Sequence, residues 1–132
     1  MKTFRLLLLF GLLMPFAAWS QTPKPNKIEA YYFHNTSRCV TCKTVEAEAK
    51  QDIETLYPDF VKKGDVRFTA LNLEEASGKA VAEKLGVSGQ TLLLVKGEKK
   101  IDITNEGFLY ARTNPAKLKK IIKEKMDGLL DL

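Results

Sequence analysis

Two cysteines, Cys39 and Cys42, are the only ones in this chain of 132 residues, and they bracket Val40-Thr41. The motif follows a strand-like run, Ile28 to Phe33, and precedes a helix-like segment. Two thiols three positions apart at a helix start can both face one reacting sulfur. The partial positive charge of the helix N-terminus stabilises a thiolate there. The spacing therefore predicts thiol–disulfide exchange, with Cys39 as nucleophile and Cys42 as the thiol that resolves the mixed disulfide. In the oxidised form the same pair closes a Cys39–Cys42 disulfide. As a structural staple, so short a loop would contribute only about 2 kcal/mol in the chain-entropy picture. The spacing argues for redox use.

The same residues admit other chemistry. A closed structural zinc site needs four ligands from Cys and His, and the chain offers two Cys and one His, so no bound metal is expected. Two thiolates also suit Cu(I) or a trivalent arsenical, which makes a thiophilic metal or metalloid carrier the alternative reading. A redox-silent binding module is a third reading, and it has no need of both thiols. His34, five residues before Cys39, reads either as a proton shuttle or third ligand, or as a polar side chain at a loop mouth. Arg38 either lowers the Cys39 pKa by its charge or points to solvent. Lys43 and Glu46 lie on the early helix turns, Glu46 either accepting a proton near Cys42 or forming a surface ion pair. Tyr31, Tyr32 and Phe33 read as core.

Several elements must position this motif. Val45, Ala49, Ile53 and Leu56 recur at helical spacing from Val40 until Pro58. Val66 to Leu73 reads as an interior strand. Glu75 to Leu85 reads as a helix whose apolar side is Ala76, Ala80, Val81 and Leu85, ended by Gly86. Thr91 to Lys96 is a nearly continuous apolar run, Gly97-Glu98 a two-residue turn, and Lys99 to Thr104 a second strand of a hairpin. Asn114-Pro115 opens a last helix that ends near Gly128, with Asn as cap and Pro at the first position. Crossover helices imply parallel pairing of the first two strands, and the hairpin adds an antiparallel pair. The expected fold is α/β: a mixed four-stranded sheet with helices on both faces, spanning residues 28–132.

The N-terminal residues read as an address rather than as fold. Lys2 and Arg5 precede an apolar stretch, Leu6 to Ala18, which spans about 20 Å against a hydrocarbon core of roughly 30 Å. Ala18-Trp19-Ser20 supplies small residues at a cleavage site, so residues 1–20 are expected to be a signal peptide cut after Ser20. Residues 21–27, with Pro23 and Pro25, form an extended leader. The protein is thus expected to be periplasmic or otherwise exported. An uncleaved membrane anchor is the rival. Of the formal net charge of +5, Lys2 and Arg5 supply two. Lys117, Lys119, Lys120, Lys123 and Lys125 fall on the solvated face of the last helix, opposite Leu118, Ile121, Ile122 and Met126, so no nucleic-acid partner is expected.

The element order, with C-x-x-C opening the first helix, resembles the thioredoxin fold over roughly residues 28–127. Ala70-Leu71-Asn72-Leu73 looks like the second core strand of thioredoxins, and Lys84 to Val87 with Thr91 to Glu98 looks like their third strand and hairpin. Cys39 to Lys43 with Glu46 is similar to the exported C-terminal domain of DsbD, and Arg38 to Cys42 resembles the thioredoxin-like ArsF family. The resemblance implies an oxidoreductase whose dithiol carries two electrons without a cofactor. Protein dithiols and disulfides are the implied partners, with a membrane electron donor as one source of electrons, and the chain is expected to act as a monomer. The Val-Thr pair resembles reductive relays more than strong oxidants. Three departures stand out. The family's cis-proline before the position of Thr91 is Gln90 here, and a non-proline cis bond costs about 2.5–4 kcal/mol, so a trans peptide and a differently shaped loop are expected. Arg38 stands where thioredoxins carry tryptophan. The strand before the motif lacks their buried acid, so proton handling needs a different group.

Overall fold

The computed structural model describes residues 26–132; the expected signal segment and most of the leader lie outside these described residues. The elements run β1 (Ile28–His34), α1 (Val40–Leu56), α2 (Pro58–Lys63), β2 (Val66–Asn72), α3 (Ala76–Leu85), β3 (Thr91–Lys96), β4 (Lys99–Asp102), α4 (Thr104–Tyr110) and α5 (Pro115–Leu130). The strands form one mixed sheet in the order β2-β1-β3-β4. β1 pairs in parallel with β2, and the β1–β3 and β3–β4 pairs are antiparallel.

Alternation along β1 divides the molecule. Ile28, Ala30 and Tyr32 are buried on one face together with Leu92 and Leu94 of β3. Val45, Ala49 and Ile53 of α1 and Leu118, Ile122, Met126 and Leu129 of α5 close over that face. Phe33, Leu93 and Val95 are buried but lie outside this cluster, as does Ala82 of α3. α3 packs against β2 on that second side.

Several boundaries differ from expectation, each for a local reason. β2 is an edge strand and not an interior one, because β1 takes the centre; after Val66 none of its residues is fully buried. α2 was not foreseen: Pro58 at its first turn starts a new helix where only a stop was expected, and Gly64 at φ 76° ends it. β4 stops at Asp102, because the Asp102 carboxylate accepts the Thr104 N–H at 2.9 Å and turns the chain into α4. Ile103, expected on the strand, is instead buried at that junction. α3 rests on Gly78 and Ala82, with Ala76 and Ala80 exposed. A Cβ at Gly78 would lie 1.9 Å from the Asn72 carbonyl oxygen, so helix and strand approach through a gap only glycine leaves. α5 runs past Gly128 to Leu130, since Leu129 completes its buried stripe.

One buried charge sits far along α1 from the cysteines. Asp52 is buried, its Oδ1 lies 3.8 Å from Lys119 Nζ, and Oδ2 has no hydrogen-bond partner among the described residues. Burial raises its pKa to about 6, with Lys119 pulling the other way. As pH falls through 6, the folded protein takes up this proton before the unfolded chain does, so the site gains stability toward acid, on the order of 2 kcal/mol in all. Asp52→Asn should therefore be the more stable protein at pH 7 and match the parent near pH 4 in urea titrations. A gap of equal size at both pH values would show that Asp52 does not titrate in this way.

Candidate functional site

α1 begins at the motif because Cys39 is its N-cap. Its backbone is extended (φ −73°, ψ 167°), its carbonyl accepts the Lys43 N–H at 3.2 Å, and its Sγ accepts the Cys42 N–H at 3.3 Å. The nucleophile's sulfur thus does the work that a serine or aspartate oxygen usually does at a helix start. Both cysteines are free thiols, Cys39 exposed and Cys42 buried.

The two thiols are driven apart in acidity. Cys39 is lowered, first by the hydrogen bond from the Cys42 thiol, then by backbone N–H groups of the same turn. Cys42 is raised, first by burial and next by donating to Cys39. The Cys42 thiol also lies 3.3 Å from Gln90 Oε1. One S–H proton cannot serve both acceptors at once. With Cys39 ionised it belongs on the thiolate; with Cys39 protonated, Gln90 receives it.

Gln90 reaches this position from just before β3, 48 residues along the chain from Cys42. No cis peptide occurs among the described residues, so the Gly89–Gln90 bond, the one a cis-proline at position 90 would hold, is trans. Thr91 opens β3 opposite Phe33, with its hydroxyl on the Gly89 carbonyl at 2.9 Å. Arg38 forms an ion pair with Glu46, both side chains partly buried. Its charge is held there, and the lowering of Cys39 comes from hydrogen bonds. Lys43 is exposed on the first turn of α1. His34 makes no hydrogen bond to either sulfur: its Nδ1 lies 2.9 Å from the Asn35 carbonyl oxygen, and its ring lies beside Tyr32. Among the described residues no three His, Cys, Asp or Glu side chains stand together as a metal site would need.

Two neighbours had no signal in the motif. Arg112, in the turn between α4 and α5, places Nη1 3.4 Å from Thr41 Oγ1, within the motif itself. Tyr32 is wholly buried, and burial first, then Cys42 and Glu46, hold its phenol well above the ordinary range. The strand pattern identified it as core; nothing in the pattern tied it to the motif.

No protein-family model matches the chain, and no curated protein does. Solved structures do. The fold is similar to that of thioredoxin O2 from Arabidopsis thaliana in the oxidised state, at 21% identity over 75% of each chain, with a TM-score of 0.51. That likeness defines a thioredoxin-like α/β fold. Lower scores join it to Fasciola hepatica thioredoxin (18% identity, 75% of this chain and 81% of that one, TM-score 0.47). An uncharacterised thioredoxin-like protein from Porphyromonas gingivalis is also similar (17% identity, 82% of each chain, TM-score 0.42).

Proposed function

We propose that the protein is a thiol-disulfide oxidoreductase whose Cys39–Cys42 dithiol exchanges two electrons with protein partners. One observation carries the reading: the exposed thiol is the one made more acidic, and the buried thiol is the one made less so. An exposed thiolate can attack a partner's disulfide, and a buried thiol can meet only the sulfur beside it. The Cys39 thiolate attacks one sulfur of the partner disulfide and expels the other as a thiolate, which takes a proton from water. Cys42 then attacks Cys39, the Cys39–Cys42 disulfide forms, and the partner's second cysteine leaves carrying the proton that Cys42 gives up. The partner is reduced and this chain oxidised.

The finer reading is an exported reductant or electron relay. It rests on the signal-like residues 1–20 and on the likeness of Cys39 to Lys43 with Glu46 to the DsbD domain. Equilibration with a glutathione couple tests it: a reduction potential near that of thioredoxin, roughly −270 mV, supports a reductant, whereas one near −120 mV would make the protein an oxidant. Limiting iodoacetamide on the reduced protein should alkylate Cys39 first. Faster labelling of Cys42 in a peptide map would reverse the roles.

A further inference from the structure

Tyr32 stands on β1 in the row Ile28, Ala30, Tyr32 that faces α1. In the sheet register it pairs with Leu92, two residues after Gln90. Leu92 and Val45 both lie against Gly107, within 3.4 Å of where its Cβ would be, so Val45 sits directly above this part of the sheet. Val45 follows Cys42 by three positions on the same buried side of α1. Tyr32 therefore lies in the core beneath the first turns of the motif helix. It is fully buried, and its hydroxyl has no hydrogen-bond partner among the described residues. A buried hydroxyl without a partner destabilises a fold, and such groups in native proteins ask for an explanation.

We propose that Tyr32 is the hydrogen-bond donor to the resolving thiolate: its buried hydroxyl turns to the Cys42 sulfur when that sulfur gives up its proton. The proposal rests on the exchange reading above, in which Cys42 must ionise to attack Cys39. Gln90 faces the Cys42 thiol with Oε1, an acceptor, and offers a thiolate a donor only by turning its amide over. The Cys39 sulfur is by then a disulfide sulfur and donates nothing. A buried thiolate short of donors is costly, and the Tyr32 hydroxyl supplies one from the sheet side. In the step itself Tyr32 keeps its proton. The Cys42 proton passes to the departing cysteine of the partner, the bond between Cys39 and the partner breaks, and the Cys39–Cys42 bond forms.

The surroundings of the hydroxyl fit this part. Burial, and then the nearby Cys42, push the phenol well above its ordinary range, so it stays protonated and can donate to an anion. Glu46 and Arg38, the other charges it faces from the motif side, are paired with each other. His34, its neighbour along β1, is turned to the Asn35 carbonyl.

Titration of single thiols tests the proposal without any partner. In the full chain carrying Cys39→Ser, Cys42 is the sole thiol, and its ionisation can be followed by thiolate absorbance. Adding Tyr32→Phe should raise the Cys42 pKa by about one unit, a roughly tenfold loss of thiolate at a given pH, as expected for the loss of a hydrogen bond to a charged group. In the Cys42→Ser chain, Tyr32→Phe should leave Cys39 titrating where it did. A Cys42 pKa that ignores the hydroxyl, or a Cys39 pKa that moves as far, would overturn the proposal. A second measurement keeps the native tyrosine. With Cys39→Ser, the ring Cζ resonance of Tyr32 should shift over the pH range in which Cys42 ionises, and a flat resonance would equally overturn the proposal. Failure of the exchange reading would show differently, as reaction with protein disulfides no faster than a free dithiol, whatever these titrations give.

Discussion

Cys42→Ala should turn the protein into a trap. Its exposed Cys39 keeps the helix N-terminus and its backbone N–H groups, so it can still attack a partner's disulfide. The mixed disulfide then has no internal thiol to resolve it. Turnover should fall by about a hundredfold or more, because an external thiol must replace one held in place three residues away. Non-reducing gels should show partner proteins joined to the Cys42→Ala chain, and the bands should vanish on reduction. Cys39→Ala should show almost none, since Cys42 is 4% exposed and no partner reaches it. Equal trapping by the two variants would mean that burial does not separate their roles.

Gly78→Ala should be the most damaging single methyl in the described fold. The added Cβ meets a backbone oxygen 1.9 Å away, and neither α3 nor β2 can yield by rotating a side chain. Relief requires sliding α3 off the sheet. The expected loss is about 3 kcal/mol or more, at the upper end of overpacking effects. In a domain of this size that lowers the melting temperature by on the order of 12 °C or more. Gly89→Ala is the control, because nothing lies within 4 Å of its Cβ position. If thermal unfolding of the two variants coincides, α3 and β2 are not in the contact described here.

How much of this could be read from the chain depends on how far each signal reaches. Strands β1 and β3 and helices α1 and α5 announce themselves, because their apolar residues repeat at one period for several turns and their ends carry proline, asparagine or glycine. α4 does not. It is seven residues long, and Ile101 and Ile103 before it alternate as a strand would. What ends that strand is a side-chain hydrogen bond at Asp102, a contact that no periodicity encodes. β2 has the composition of an interior strand, yet edge or centre is decided by which partner takes β1, and that is a property of the whole sheet. The cysteine pair was legible because its chemistry lives within four residues. Its setting was not: Gln90 and Arg112 come from other parts of the chain, and Tyr32 was identified as core without its relation to the motif. In the sequence Gln90 stands out as a missing proline, but that its amide meets the Cys42 thiol follows only from the fold.

The place of β1 also sets an order of assembly. The first strand of the described fold is central in the sheet, hydrogen-bonded on one side to β2 and on the other to β3, with Ile28 paired to Val66 and to Lys96. A chain emerging from its N-terminus can form α1 and lay β2 beside β1, but the other edge of β1 stays bare until Thr91 to Lys96 has been made. Leu92 and Leu94 of the sheet's buried face, and the Gln90 side of the dithiol, arrive with that late segment. Contacts so distant in sequence slow closure, and the half-built sheet offers an open hydrogen-bonding edge until then. Cys42 thus waits for its Gln90 partner until the late segment is in place.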